Sequence, residues 1–489
     1  MRFNRKKNIL LLINTIVEGL DYCEINIGEK AKNMILDCMD AVKFIRDTFV
    51  EENVEIQLIN EIINDLTLLF ELNNEGKSFI DKVIEIKNKI INLKIEIVEN
   101  IETNLYVTFM RYKISMWDSL ESIWKAANED EDCVCDIMPI PYYELDMQGV
   151  PVKFCYEGDR FKNKYEVINY ENYILEDRNP DIIYIHNPYD YGNTLTRIDD
   201  RFFSERLREH CSKLVYVPYF VRGSLKVNYE IFGGLPGTNN ADRIIAHSEV
   251  HKRLFMNCGH KEEKVLNLGS PKYDRALIEK DKKANLSEEM KAYVGDKKVI
   301  LLSTGIGDLL NYNDWVSMID KIITYFNDSE NCVLIWRRHP LTTRSILSMV
   351  PHMAIEYKNL LEKIESSKNI IMDNNDEVYD SINISHALIS DYSSVMHQYI
   401  AIEKPVLGLL RDKEIEDDRN YCVDYRGVYV YNKDTTLEEF EKMVINNEDP
   451  KKDERISTLK NSVTNLDGRC GEKIYNHIKE ELIEELMKI

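Results

Sequence analysis

Apolar residues recur at three- and four-residue steps through residues 8–103. Val83, Ile86, Ile90, Leu93, Ile97, Ile101 and Leu105 mark one stripe, with Lys and Glu filling the other faces. That period lines one side of a helix. No proline interrupts the stretch, so the pattern predicts an α-helical region over residues 1–103. "ELNNEGKSF", from Glu71, reads as the hinge of a helical hairpin. The opening "MRFNRKKNILLLINTIVEGLDY" has a basic head and an apolar run. The periodicity continues with no small-residue cleavage site, so it reads as a helix start with a solvated basic tip, not a signal peptide.

From about residue 104 the pattern changes to short apolar runs alternating with helical stretches. "LYVTFM" (from Leu105), "CVCDIMPIP" (Cys133), "DIIYIHNP" (Asp181), "KLVYVPYF" (Lys213) and "RIIAHS" (Arg243) read as strands. "LNLGSPKYDRAL" (Leu266) breaks the rhythm, and a second series follows: "KVILLST" (Lys298), "CVLIWRR" (Cys332), "NIIMD" (Asn369), "HALIS" (His386) and "PVLGLL" (Pro405). Two βα series predict an α/β fold of two Rossmann-like domains, 104–268 and 269–464, facing across a cleft. A closing helix over 465–489 completes the chain. Open parallel sheets bind ligands beyond the carboxyl ends of their strands.

Composition narrows the function. The 489 residues carry a net charge of -22, which argues against general nucleic-acid binding and requires any anionic substrate to find a local basic pocket. No run of about 18 apolar residues suggests a membrane span. Ten scattered cysteines without a CxxC pair fit a reduced, cytoplasmic setting.

Against that acidic background, five strand ends carry chemistry. In "ISDYSSVMHQ", Ser393 and Ser394 open a helix where serines cap and free N–H groups cradle an anion, and Asp391 would orient a neighbouring donor or contact a hydroxyl. "VLIWRRHPLTT" ends in Arg337, Arg338 and His339, with forked guanidinium donors suited to phosphate oxygens. Strand alternation would send one of the two arginines to the cleft. Gly305 and Gly307 in "LLSTGIGDLL" allow close backbone approach, although the third glycine of a dinucleotide fingerprint is absent. His186, ending "DIIYIH", can accept a proton near neutral pH. Arg111 and Lys113, in the loop after the first strand, could face an anionic acceptor.

Three of these segments occur together and in order: "LGSPKYDRAL", "WRRHPL" and "SDYSSVMHQYIAIEKPVL". With the ending "NLDGRCGEKIYNHI", they make residues 180–480 resemble the CDP-glycerol glycerophosphotransferases, the teichoic-acid polymerase family. The resemblance implies a GT-B fold and a CDP-alcohol donor held in the second domain. A hydroxyl of a polymer or glycan acceptor would attack the alcohol-side phosphorus and release CMP. It maps the family's HP histidine onto His339 and the D-Y-S-S segment onto Asp391, Ser393 and Ser394. It also implies work at the inner face of the membrane, with peripheral contact to it. One departure stands out. The family's W-H-G-T segment, whose histidine serves as base, reads "VPYFVRGSLK" here, with Val221 at the histidine position and Lys226 at the trailing lysine. His186 is the substitute base on this reading, with Arg338, His339, Ser393 and Ser394 on the donor diphosphate and Arg111, Lys113 and Lys226 on the acceptor side. No cofactor is demanded; Mg²⁺ could accompany the diphosphate. The helical region offers a route to a homo-oligomer. A nucleotide-sugar glycosyltransferase on the same frame and a non-catalytic nucleotide-binding scaffold stay open as alternatives.

Overall fold

The computed structural model describes residues 1–489 apart from 27, 53, 55, 73–76, 147, 163, 222–232, 281, 283–290, 292, 376 and 412–424. Lys226 and the centre of the hinge after Glu71 lie outside the described residues. The chain divides into two compact units. One comprises residues 1–107, 129–134 and 475–489; the other comprises 108–128 and 135–474.

The first unit is built on α1 (Phe3–Ile25), α2 (Glu29–Glu51), α3 (Gln57–Glu71) and α4 (Lys77–Asn100). Helix α1 packs on α2 and α4, and α3 packs on the same two, so four helices close around one core, with the helices either side of the expected hinge, α3 and α4, packed on each other. Each contributes a stripe at helical spacing, such as Ile59, Ile62, Leu66 and Leu69 on α3. Burying each such side chain is worth about 1.5–3 kcal/mol. None of α1–α3 has a side-chain N-cap hydrogen bond, so packing holds them rather than capping. Leu105, read both as the last residue of the stripe and as the first of a strand, opens a strand. One sequence expectation is corrected. Lys6 is no solvated tip but 3% exposed: its Nζ donates to Val98 O (3.2 Å), Ile101 O (2.6 Å) and Thr103 Oγ1 (3.1 Å), closing the carbonyl end of α4. The last residues, 475–489, group with this bundle rather than standing alone.

The strands of the first α/β half are β1 (Leu105–Arg111), β2 (Cys133–Pro139), β5 (Ile182–Ile185), β7 (Lys213–Tyr216), β8 (Arg243–Ala246) and β9 (Val265–Asn267), in the order β2-β1-β5-β7-β8-β9. The pairings from β5 to β9 are parallel. Beside this sheet lies a small antiparallel one, β4-β3-β6, made of β3 (Tyr142–Leu145), β4 (Pro151–Cys155) and β6 (Thr196–Ile198). It was not anticipated because its strands are short, and β4 is almost wholly exposed, so it carries no apolar run to read.

The second half has β10 (Lys298–Thr304), β11 (Cys332–Arg338), β12 (Ile370–Met372), β13 (Ala387–Ser390), β14 (Val406–Gly408) and β15 (Tyr429–Val430), all parallel, in the order β12-β11-β10-β13-β14-β15. Successive β10 residues feed opposite faces: Ile300 and Leu302 enter one apolar cluster, Val299 and Leu301 the other. That is why the strand reads as an unbroken apolar run. Sequence neighbours part between β10 and β13, and between β1 and β5 in the first half, so each sheet has a switch point where ligands collect.

The join between the halves explains two of the recognised segments. Gly269 has φ +97°, and a Cβ there would lie 2.5 Å from Thr464 O, so the chain can pass only as glycine. Five residues on, the Asp274 carboxylate accepts the N–H groups of Cys470 (3.0 Å) and Gly471 (2.7 Å). The "SPKYD" aspartate therefore caps the helix that "DGRCG" opens.

Candidate active site in the cleft

Register brings the second-half candidates to one level. Ser303 lies opposite Arg337, Thr304 opposite Arg338, and Ser303 again opposite Ser390. The strand tips open on a cavity of about 220 Å³ whose wall includes Ser303, Thr304, Gly305, Arg337, Arg338, His339, Ser393 and Ser394 from the second half. Lys113, Trp117, Asp118 and Glu121 from the first half and Lys272 and Arg275 from the joining helix complete it.

His339 is fixed by its neighbours. Its N–H donates to Thr304 O (2.9 Å), and its Nδ1 accepts the N–H of Leu341 (3.2 Å). With Nδ1 an acceptor, the neutral ring carries its proton on Nε2. Burial, then the charges of Lys113 and Arg337, pull its pKa down to about 4. At neutral pH the ring is therefore an uncharged donor.

Both arginines reach the wall, where alternation suggested one. Arg337 donates to Asp373 Oδ2 (2.7 Å), whereas Arg338 donates to the hydroxyls of Thr343 (2.9 Å) and Tyr357. Ser393 caps the helix Ser394–Ala401 by accepting the N–H of Met396 at 3.4 Å, and its hydroxyl lies 3.0 Å from that of Ser390.

Asp391 sits behind the wall. Its two carboxylate oxygens accept the N–H of Gly305 at 2.9 and 2.7 Å, and burial, with Asp308 nearby, lifts its pKa well above the carboxylate range. It braces the Gly305 turn rather than reaching for a ligand hydroxyl. A Cβ on Gly305 would stand 3.3 Å from Asp391 Oδ1, so the close approach made here is to protein. Gly307 starts a five-residue helix off the cavity wall.

Two first-half expectations are corrected. His186 is fully buried and absent from the wall. Ser119 donates its hydroxyl to Met116 O (2.7 Å) and lies 3.1 Å from His186 Nδ1. Burial first, then Arg111, push the imidazole pKa down to about 3. The ring lies against the Ile114–Ser119 turn, which is remote in sequence, and is packed edge-on by Tyr112 and Tyr219. Arg111 belongs to β1, not to a loop. Its guanidinium is 0% exposed between Phe161 (2.8 Å to the ring centre) and Trp117 (3.9 Å), and its three nitrogens have no hydrogen-bond partner among the described residues. Of the acceptor-side trio, Lys113 alone is seen on the wall, since Lys226 is not described.

The sequence reading missed the cavity's polar floor. Asp118 receives Lys272 Nζ on both oxygens (2.6 and 2.7 Å), the Tyr379 hydroxyl (2.9 Å) and Gln398 Nε2 (3.1 Å). Beside it, Arg275 donates to both oxygens of Glu121 (2.6 and 2.8 Å). Single charges inside helical stretches give no sign of such convergence; the lysine of "GSPKYD" was the one available cue. Among the described residues, no group of three His, Cys, Asp or Glu is arranged to hold a metal ion, and no helix is long and apolar enough to cross a membrane.

The teichoic acid ribitol-phosphate polymerase TarL of Staphylococcus aureus (strain NCTC 8325 / PS 47) is 25% identical over 235 residues, which is 45% of this chain but 38% of TarL. The chain thus matches well under half the length of that relative. Among solved structures, a variant of the wall teichoic acid polymerase TagF superposes with TM-score 0.50 at 16% identity, covering 84% of this chain and 100% of the solved TagF chain. A co-structure of S. aureus MnaA with UDP gives 0.49 at 14% identity, covering 77% and 97%. The TagF likeness carries the GT-B fold. The family described as CDP-glycerol:poly(glycerophosphate) glycerophosphotransferase matches residues 235–480, half of the chain and the half that holds Arg338, His339 and the Ser393–Ser394 helix start. The chain belongs to the CDP-glycerol:poly(glycerophosphate) glycerophosphotransferase family.

Proposed function

We propose that the chain transfers an alcohol-phosphate group from a CDP-activated alcohol to a hydroxyl of a polymer or glycan acceptor, releasing CMP. The observation that carries this reading is a charge imbalance on the cavity wall. Lys272, Arg275 and Arg337 are each matched by a carboxylate, whereas Arg338 meets only hydroxyls in its hydrogen bonds and His339 offers a neutral N–H. A wall with a spare guanidinium, a fixed imidazole donor and a serine-capped helix start suits a diphosphate. Family membership supplies the CDP-alcohol.

In this reaction the acceptor oxygen forms a new P–O bond to the alcohol-side phosphorus, and the P–O bond to CMP breaks with its electron pair staying on CMP. The hydroxyl proton leaves through the phosphate oxygens to solvent. Positioning and charge neutralisation carry such a transfer. Arg338 and His339 therefore hold the diphosphate, Ser393 and Ser394 close over it, and Asp391 keeps the Gly305 turn in place. The protein works on an acceptor at the membrane's inner face, which it meets peripherally.

The test is CMP release from CDP-glycerol and CDP-ribitol, with UDP-sugars as controls, with and without polymer acceptor and with and without Mg²⁺. His339→Ala should cut release about 10²–10³-fold, the loss typical of one electrostatic donor, with little change in melting temperature. CDP binding without any CMP release would mark a scaffold; UDP-sugar turnover would mark a glycosyltransferase.

A further inference from the structure

The missing W-H-G-T histidine leaves the first half without its expected catalytic group. Val221 does not restore it, being 5% exposed and packed in an apolar cluster with Tyr273 and Ala276. His186 is sealed away from the cavity. Of the first-half charges on the wall, Asp118 and Glu121 are taken up by Lys272 and Arg275, which leaves Lys113, just before the short helical turn Ile114–Ser119 at the end of β1.

Every other lysine or arginine on the wall has a hydrogen-bond partner: Lys272, Arg275, Arg337 and Arg338. The Lys113 ammonium makes no hydrogen bond or ion pair among the described residues; only its carbonyl is bonded, accepting the N–H of Met116 (3.2 Å). Its Nζ lies 5.4 Å from the ring centre of Tyr112 and 5.1 Å from that of Tyr142. The two carboxylates whose charge it feels are engaged elsewhere: Glu157 by the N–H of Ile114 (2.7 Å) and the hydroxyl of Tyr142 (3.1 Å), Glu144 by Arg344 and Lys153. Two rings flank the ammonium, and burial pulls its pKa below the ordinary lysine value. It is close enough to His339 for its charge to weigh on that imidazole. Glu157 and Glu144 act on Lys113 only through their charge, and a half-buried ammonium whose N–H groups meet no carboxylate is costly unless an anion arrives.

We propose that Lys113 is a catalytic residue of this chain: its ammonium crosses the cleft to the phosphoryl group held by His339 and neutralises the charge that develops as the group is transferred. This rests on the transferase reading above. It also accounts for a first half without a histidine base. A loose phosphoryl transition state asks for positive charge and alignment more than for early removal of the hydroxyl proton. A lysine delivers such a point charge, and an arginine at the same place would deliver it less well aligned. The acceptor-side role expected from sequence is thereby moved from the acceptor to the reacting phosphate.

The experiment compares the full chain with Lys113→Met and Lys113→Arg. It measures steady-state CMP release from the turned-over CDP-alcohol, melting temperature, and affinity for inorganic pyrophosphate by calorimetry. Lys113→Met should lose about 10²–10³-fold in kcat, keep its melting temperature, and bind pyrophosphate at least about fivefold more weakly, as loss of one charged contact implies. Lys113→Arg should recover at least a tenth of the lost rate. Undiminished kcat in Lys113→Met, or Lys113→Arg as inactive as Lys113→Met, overturns the charge-clamp role. Silence of the parent toward every CDP-alcohol overturns the transferase reading instead. Lys113 is then judged by pyrophosphate alone, and equal affinity in parent and Lys113→Met rejects it.

Discussion

At the scale of single residues, the molecule keeps several histidines neutral by burial. The pKa is pushed down to about 3 at His186, about 4 at His339 and about 3 at His397. Burial is the largest cause in each. Such a group binds its proton more readily unfolded than folded, so it penalises the fold on acidification. Stability should be complete above pH 6.5 and fall as pH drops toward 4, by about 1.4 kcal/mol per pH unit for each histidine in that window. Melting temperature followed from pH 7.5 to 4.5 reads this directly. His397→Gln should flatten the slope; a melting temperature that climbs on acidification would contradict the assignment. Residue identity alone could not separate these rings. His339 and His186 both end β-strands in sequence, yet one faces the cavity and the other lies under the Ile114–Ser119 turn. The difference is set by the chain that passes over each strand tip, which is remote in sequence.

Secondary-structure elements were the most legible level. The five strands read in the second half all form, because a strand buried on both faces must be continuously apolar and therefore announces itself. The small antiparallel sheet escaped because exposed strands carry no such signature. The N-terminal helices were visible as a period, but their number was not, since a period says which face is buried and nothing about what covers it. Caps made by distant residues were equally hidden. Asp274 serves the helix Cys470–Lys488 from 196 and 197 residues away. Asp274→Ala strips two N–H groups of their acceptor in a buried place and should cost about 1–3 kcal/mol in urea denaturation. An unchanged midpoint would mean that water replaces the carboxylate without penalty.

For the whole molecule, the cleft floor is the telling feature. Asp118 and Lys272 are 9% and 6% exposed at their side chains, so removing either partner strands a charge. Asp118→Asn and Lys272→Met should each destabilise by about 3–5 kcal/mol, and the double variant should be less destabilised than the sum of the two. A double-mutant cycle in denaturant measures the coupling, and strict additivity would show the pair to be independent. The same cluster sets a timetable for biosynthesis. Lys272 follows Asp118 by 154 residues and Gln398 follows it by 280. At translation rates of about 5–20 residues per second, the carboxylate waits about 8–30 s for its first partner and about 14–56 s for its last. A nascent chain paused before Gln398 holds the aspartate incompletely satisfied, so the pocket is finished among the last parts of this unit. A ribosome stall in that interval should therefore leave the first half protease-sensitive.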